Sequence, residues 1–168
     1  MSIYLTFEYA RSLRAAEIAM LIKLDPNWLF TFNFGFRVDA DKARKLVAWW
    51  FNAAQRTLYG STWTSQFDRS WPEVHCYFEH PDSNPHYHGL ASIPDRMGYW
   101  TEAHGNELWR KVVRSGQLDI REVHNVRGIA RYCTKDFIRR RGFEQKFVYK
   151  DTRLATIGVS SLVPGKES

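Results

Sequence analysis

Residues 74–93, VHCYFEHPDSNPHYHGLASI, contain two apolar runs separated by a polar, proline-containing segment. The runs 74–80 and 86–93 are rich in aromatic and branched side chains, as strands usually are. Between them stands PDSNP, whose residue types favour a turn. The stretch therefore predicts two antiparallel strands joined as a hairpin.

Outward from the hairpin, the chain alternates between strand and helix patterns. Strand patterns cover residues 28–35 and 117–123, and a short edge strand is predicted at 147–149. The predicted helices cover residues 12–24, 40–58, 100–114 and 126–141, with Ser12 and Asp39 as N-caps of the first two and Gly60 and Gly142 after the second and the last. The stretch 61–72 is predicted to be a loop.

The order of these elements after the first helix is β-α-β-β-α-β-α. This is the split β-α-β arrangement of the ferredoxin-like and RRM-like α+β folds, an antiparallel sheet with helices on one face. The opposite face is left open for a site or a further helix, and we expect the active site to lie there.

The composition fits a single domain. The chain has 168 residues, of which 44% are hydrophobic, enough for a sizeable core. We expect one domain over 1–168, with a helical extension at 1–27 and a core at about 28–150. The sequence contains no membrane span and no signal-peptide pattern, and its two cysteines favour a reducing compartment.

The charge of the chain is concentrated in its last third. The formal net charge is +6, but residues 110–153 alone hold thirteen basic and five acidic residues, a net charge of +8. A basic segment of this kind favours a polyanionic partner, most often a nucleic acid. The segment includes Arg131, Arg139, Arg140 and Arg141, which we take as candidate DNA-binding residues. A solvated basic helix face is the alternative.

Two histidines and a carboxylate form a candidate metal site. His86 and His88 are two residues apart on the third predicted strand, so they project from one face about 7 Å apart. Glu79 falls on the same face of the preceding strand, and the hairpin register decides whether it lies opposite one of them. Two imidazoles and one carboxylate suit Mg²⁺ or Mn²⁺ bound together with a phosphate oxygen.

Three neighbouring side chains are rival metal ligands. His75 lies on the same strand as Glu79, together with Cys76 and His80. Strand alternation turns Cys76 and His80 away from Glu79, and we expect Cys76 to be a small core residue.

The last predicted helix carries a candidate nucleophile. Tyr132 and Lys135 are three residues apart, which places them on one helical face. A tyrosine can attack a phosphodiester when a lysine or a bound metal assists it. Tyr77 is the main competitor because it shares the face of Glu79, whereas alternation turns Tyr87 toward the helices.

These motifs, in this order, resemble those of the HUH endonucleases, named for histidine–hydrophobic–histidine. The first motif is Phe30-Thr31-Phe32-Asn33, the second is Pro85-His86-Tyr87-His88-Gly89-Leu90, and the third is Arg131-Tyr132-Cys133-Thr134-Lys135. The pattern is most similar to the single-tyrosine initiators of rolling-circle replication in plasmids, phages and small single-stranded DNA viruses. The resemblance covers about residues 29–141.

The resemblance implies a role for each matching residue. His86 and His88 match the metal-binding pair, and Glu79 matches the upstream acid that commonly completes the site. Tyr132 matches the nucleophile. Lys135 matches a lysine that orients the phosphate, the metal or the leaving group, and Asn33 lies in the motif that helps to shape the DNA-binding surface.

The resemblance also implies an activity. The expected protein nicks single-stranded DNA at an origin or stem-loop sequence, needs Mg²⁺ or Mn²⁺, and keeps the cut strand on a 5′-phosphotyrosine for later joining. A host or fused helicase is an expected partner, although the chain has no Gly-x-x-x-x-Gly-Lys-Ser/Thr motif. The expected location is the cytoplasm of a bacterial or archaeal host, or the nucleus if the source is a eukaryotic virus.

Three other functions stay open at this point. A single-tyrosine transposase or a relaxase would share the core and the chemistry. A non-catalytic RRM-like module would bind nucleic acid by stacking bases on aromatic side chains of the sheet. A zinc hydrolase would use His86 and His88, although no third His or Cys stands at a familiar zinc spacing.

Overall fold

The computed structural model of the protein describes residues 7–60, 73–137 and 146–150, and the predicted loop at 61–72 and residues 138–145 lie outside that part of the chain. The elements are α1 (Phe7–Leu24), β1 (Trp28–Asn33), α2 (Ala40–Tyr59), β2 (Glu73–Glu79), β3 (His86–Ser92), α3 (Asp95–Val112), β4 (Gln117–Glu122), α4 (Val126–Cys133), a 3₁₀ turn (Lys135–Phe137) and β5 (Phe147–Val148). None of the described helices is long and apolar enough to cross a bilayer.

The strands form a single sheet in the order β4-β1-β3-β2-β5, and every neighbouring pair is antiparallel. The predicted α+β class and split β-α-β arrangement are therefore confirmed, with β5 added at the edge beside β2. β1 and β3 are interior strands with a neighbouring strand on each side, so side chains of β3 can meet side chains of both β1 and β2.

One face of the sheet packs on α2 and α3 through a core of aromatic side chains. Phe30 and Phe32 of β1 stack in parallel, and Trp50 and Phe51 of α2 meet them edge to face. All four side chains are fully buried. The alternation of β1, with every second residue buried, fixes which face of the strand is left for the site.

The other face of the sheet is covered in part by α1 and α4. A second apolar cluster joins Leu21 of α1 and Ala130 and Cys133 of α4 to Tyr77 and Leu90 of the hairpin. The space expected on this face for a further helix is thus taken by α1, while α4 lies beside it.

The predicted caps of α2 are confirmed. Asp39 Oδ1 accepts a hydrogen bond from the Lys42 backbone N–H at 2.8 Å, and Gly60 follows the helix with a positive φ of 69°. The prediction of Ser12 as an N-cap is wrong: α1 already begins at Phe7, and the Ser12 hydroxyl donates to the Glu8 carbonyl inside the helix.

Two helices have other boundaries than the sequence pattern predicts. α3 covers Asp95–Val112 and not 100–114, and it includes Gly98, where a Cβ would lie 2.2 Å from the Trp28 ring. α4 ends at Cys133 and not at 141. The Arg131 carbonyl, which would accept from the Lys135 N–H in a continuing helix, instead accepts from Arg14 of α1 at 3.1 Å.

Candidate metal and tyrosine site

The hairpin register brings the three predicted metal ligands together. Glu79 pairs directly with His86 across the two strands. Glu79 Oε2 lies 3.5 Å from His86 Nε2 and 3.7 Å from His88 Nε2. One ligand atom from each of the three side chains lies within 4.8 Å of the others, a spacing that one cation could bridge.

Both histidines are held so that Nε2 faces the cluster. His86 Nδ1 donates a hydrogen bond to the Asn84 carbonyl at 2.8 Å, which leaves Nε2 as the nitrogen with a free lone pair. His88 Nδ1 lies 3.2 Å from the Thr31 hydroxyl of β1. Contacts of this kind fix the tautomer and the ring orientation of metal-binding histidines.

The electrostatics of the cluster suit a cation. Burial lowers the pKa of His88 to about 4, so its imidazole is neutral at neutral pH. Burial acts to raise the pKa of Glu79, but contacts with His86 and Lys135 outweigh it and the pKa lies below its usual value. Glu79 is therefore a buried carboxylate that stays charged.

Three atoms of the cluster are buried and lack a hydrogen-bond partner among the described residues. They are both carboxylate oxygens of Glu79 and His88 Nε2, and Glu79 Oε2 is the oxygen that lies 3.7 Å from His88 Nε2. Buried polar atoms are almost always satisfied in folded proteins, and a cation bound between Glu79 Oε2 and His88 Nε2 would satisfy both of these. The residues present thus fit a metal ion, and the donor set of two nitrogens and a carboxylate is compatible with several divalent ions.

Lys135 contacts the same carboxylate. Its Nζ lies 2.7 Å from Glu79 Oε2. Burial acts to lower the pKa of Lys135, but the Glu79 carboxylate outweighs that effect and the pKa is raised. Lys135 was predicted to lie on one face of the same α-helix as Tyr132. It belongs instead to the 3₁₀ turn that follows α4.

Tyr132 lies against this cluster and remains open to solvent. Its side chain is 47% exposed, and its ring centroid lies 5.1 Å from that of His88. The Lys135 ammonium stands 4.0 Å from the centre of the same ring. The arrangement thus combines an accessible hydroxyl, an ammonium group and three candidate metal ligands.

The other two tyrosines of the hairpin are buried. Tyr87 faces α2 as strand alternation predicts, and is 1% exposed. Tyr77 shares the face of Glu79, but it is 2% exposed and its hydroxyl donates to the Glu17 carboxylate of α1. Burial raises the pKa of both hydroxyls. Tyr132 is therefore the better placed of the three for contact with a large substrate.

The predicted DNA-binding residues do not all lie in the described part of the chain. Asn33 lies opposite His86 on β1, and its side chain is tied to Gly35 N at 2.9 Å and Asn84 Oδ1 at 3.4 Å. Arg131 is exposed on α4. The candidate DNA-binding residues Arg139, Arg140 and Arg141 lie outside the described residues.

The prediction for Cys76 is confirmed, and the prediction for His80 is wrong. Cys76 is fully buried on the helix side of the sheet. His80 does not point away, because β2 ends at Glu79 and His80 adopts a positive φ of 51°. Its ring lies 5.4 Å from that of His86. The signal that could have shown this is the turn sequence beginning at Pro81, since alternation holds only within a strand.

Two further residues near the site are absent from the sequence-based set. Asp136, next to Lys135, brings a carboxylate oxygen within 4.8 Å of ligand atoms of Glu79 and His80. Arg14 of α1 donates to the Arg131 carbonyl and lies 3.4 Å from the Thr134 hydroxyl. No local pattern marks Arg14, because the contact joins residues 117 positions apart.

Comparisons of the chain with protein-family models, with curated proteins and with solved structures found no match. Function is therefore inferred from the motifs and from the geometry of this site.

Proposed function

We propose that this chain is a metal-dependent endonuclease that nicks single-stranded DNA and transfers the cut strand, with Tyr132 as nucleophile. The single observation that carries the proposal is the position of Tyr132. It is an exposed tyrosine whose ring lies 5.1 Å from a histidine of a His-His-Glu cluster, with an ammonium group 4.0 Å from the ring centre. An accessible tyrosine beside a positive charge and a possible metal site is an arrangement that can support attack on a phosphodiester.

The reaction follows from these side chains. The Tyr132 oxygen attacks the phosphorus, the bond from phosphorus to the 3′ oxygen breaks, and the hydroxyl proton of the tyrosine ends on the released 3′-hydroxyl. The products are a 5′-phosphotyrosine and a free 3′ end. The reverse reaction with another 3′-hydroxyl joins strands without ATP, because the phosphotyrosine conserves the bond.

Lys135 acts in this scheme as a positive charge and not as a base. Its raised pKa keeps it protonated, so it can donate to a phosphate oxygen but cannot accept the tyrosine proton. A divalent ion held by His86, His88 and Glu79 would supply Lewis-acid polarisation of the phosphate. Mg²⁺ or Mn²⁺ is the proposed ion, since both take oxygen ligands from phosphates.

The proposal includes the biological process that the nicking reaction would serve. Initiation of rolling-circle replication of a plasmid, phage or small virus is the setting we propose, with origin or stem-loop DNA as the partner and a host or fused helicase to unwind it. A transposase or relaxase would use the same site. The substrate sequence distinguishes these programmes, whereas the chemistry does not.

The RRM-like alternative is not favoured by the site face of the sheet. On this face the central strands β1 and β3, both fully described, carry Leu29, Thr31, Asn33, His86, His88 and Leu90. None of these is the Phe, Tyr or Trp on which such modules stack bases.

A metal hydrolase is the second candidate, and one observation favours it. Two histidines and a glutamate are also a known zinc set for catalysis, with a water molecule at the open position. The two candidates differ in their product, because a hydrolase of this kind leaves no bond between enzyme and DNA.

The test is a gel assay with labelled single-stranded oligonucleotides of randomised sequence. With Mn²⁺ we expect a protein–DNA adduct that resists SDS, and with EDTA we expect none. His86→Ala should abolish the adduct, and the exposed His104→Ala on α3 is the matched control. Cleavage in Mn²⁺ without any adduct would support the hydrolase instead, and an adduct that forms in EDTA would contradict the metal assignment.

A further inference from the structure

A second group of metal-ligating side chains adjoins the first and is not needed by it. One ligand atom each of Glu79, His80 and Asp136 lies within 4.8 Å of the others. The residues come from the end of β2, the turn after it and the 3₁₀ turn after α4. Glu79 is the only member common to the two groups among the described residues.

The backbone at His80 aims this side chain at the group. His80 has a φ of 51°, a left-handed conformation that is uncommon for residues other than glycine. The turn is closed by a hydrogen bond from Ser83 N to the His80 carbonyl at 3.2 Å. As a result His80 lies on the same side of the hairpin as His86, which an extended strand would not permit.

Three carboxylate oxygens of the group are buried without a hydrogen-bond partner among the described residues. They are Glu79 Oε1, Glu79 Oε2 and Asp136 Oδ2. Glu79 is only 2% exposed, and its Oε2 is the oxygen that faces His86, His88 and the Lys135 ammonium. Glu79 Oε1 and Asp136 Oδ2 are therefore left as two buried oxygens that a second cation could bind.

We propose that Glu79, His80 and Asp136 form a second divalent-cation position, so that Glu79 bridges two ions with its two oxygens. Two carboxylates and one imidazole favour a hard ion such as Mn²⁺ or Mg²⁺. Ions that share a bridging ligand in phosphate-processing sites lie about 3.5–4 Å apart. The proposal concerns cation binding alone, so it stands or falls independently of the nicking activity.

The first test counts the ions. The metal-free protein is titrated with Mn²⁺, and bound ions are counted by calorimetry and by the loss of the free Mn²⁺ signal in electron paramagnetic resonance. We expect two Mn²⁺ per chain, and at saturation a spectrum broadened by spin coupling between neighbouring ions. A single Mn²⁺ per wild-type chain would overturn the proposal.

The variants assign the second ion. Asp136→Asn keeps the shape of the side chain, and H80G removes the imidazole while keeping a residue that tolerates positive φ. Each should bind one Mn²⁺ and lose the coupled spectrum. The control Asp82→Asn removes an exposed acid of the same turn, paired only distantly with Arg37 at 3.9 Å, and should still bind two.

Two results would contradict the assignment. One is the binding of two ions by both Asp136→Asn and H80G. The other is a single ion that is lost equally in Asp136→Asn and His86→Ala, because all the ligands would then serve one ion. Thermal unfolding of each variant without metal shows that a lost ion is not a lost fold.

Discussion

Among the single residues of the site, Lys135 would compete with a bound cation for one oxygen of Glu79. The Lys135 ammonium lies 2.7 Å from Glu79 Oε2, the atom that also faces both histidines. We predict that Lys135→Met strengthens Mn²⁺ binding several-fold, since a like charge is removed, yet slows adduct formation because the phosphate loses a positive partner. Calorimetry measures the first effect and the gel assay the second.

The control for this variant is Lys111→Met, which removes an exposed lysine paired with Glu107 on α3. It should change neither quantity. Weaker Mn²⁺ binding in Lys135→Met would show that the lysine supports the cation site, and this would contradict a competition between the two.

A second residue-scale prediction follows from the buried imidazole of His88. Its pKa is about 4 in the folded protein, below the value near 6.5 expected when unfolded. Between these values the unfolded chain binds one more proton, so stability is full above about pH 6.5 and is lost as the pH falls toward 4. The loss amounts to at most about 3 kcal/mol for this group.

The measurement is urea unfolding of the metal-free protein at about pH 7 and about pH 4.5, which span most of this interval. His88→Gln has no group that titrates in this range, so its stability should fall less than that of the wild type over the same interval. An equal fall in both proteins would mean that His88 is not buried as a neutral imidazole.

At the scale of elements, α1 supports the helix that carries the tyrosine. Arg14 donates to the carbonyl of Arg131, the residue before Tyr132, and Leu21 packs with Ala130 and Cys133. We predict that Arg14→Met slows adduct formation by up to about 100-fold, because small displacements of a nucleophile are costly. The affinity for Mn²⁺ should not change, because Arg14 bonds to the Arg131 carbonyl and the Thr134 hydroxyl and to none of the candidate metal ligands.

The matched control is Arg11→Met, which removes an exposed arginine that lies over the Phe7 ring on the same helix. Single-turnover kinetics and calorimetry separate the two effects. A loss of Mn²⁺ affinity in Arg14→Met would indicate general damage to the fold and not displacement of Tyr132.

The elements also show which parts of the structure were accessible from sequence. The hairpin and the caps of α2 were predictable, because alternation, turn chemistry and capping are local signals. The shared face of Glu79, His86 and His88 follows from them, whereas the exact register that pairs Glu79 with His86 needed the structure. The end of α4 and the contact made by Arg14 were not predictable, since they depend on a helix far away in the sequence.

The positions of His80 and Asp136 were not predicted because the predicted ends of β2 and α4 were wrong. The predicted strand extends one residue too far, so alternation was applied to a residue that already belongs to the turn. Asp136 falls on a continuous helix in the prediction, whereas the 3₁₀ turn at Lys135–Phe137 directs it toward Glu79. Small errors in element ends become large errors in side-chain direction.

At the scale of the whole molecule, the unequal charge distribution predicts how binding depends on salt. The net charge of +8 in residues 110–153 includes Arg127 and Arg131, both exposed on α4, the helix that carries Tyr132. Each phosphate that is no longer neutralised should reduce the slope of log K against log salt by about 0.7 for single-stranded DNA. The double variant Arg127→Ala/Arg131→Ala should therefore lower the slope by about 1.4.

Fluorescence anisotropy with a labelled single strand over a salt series measures the slope. Arg56→Ala is the control, because Arg56 is exposed at the end of α2, on the opposite side of the sheet. An unchanged slope in the double variant would place these arginines on a solvated face that does not touch DNA.

The most direct test of the central claim is to identify the residue that becomes joined to DNA. The protein is incubated with a randomised single-stranded pool and Mn²⁺, digested with trypsin and nuclease, and analysed by mass spectrometry. We predict a nucleotide on the peptide Tyr132–Lys135, and no adduct in Tyr132→Phe, whose Mn²⁺ and DNA binding persist. A nucleotide on a peptide containing Tyr77, an adduct that survives in Tyr132→Phe, or no adduct from the whole pool would contradict the claim.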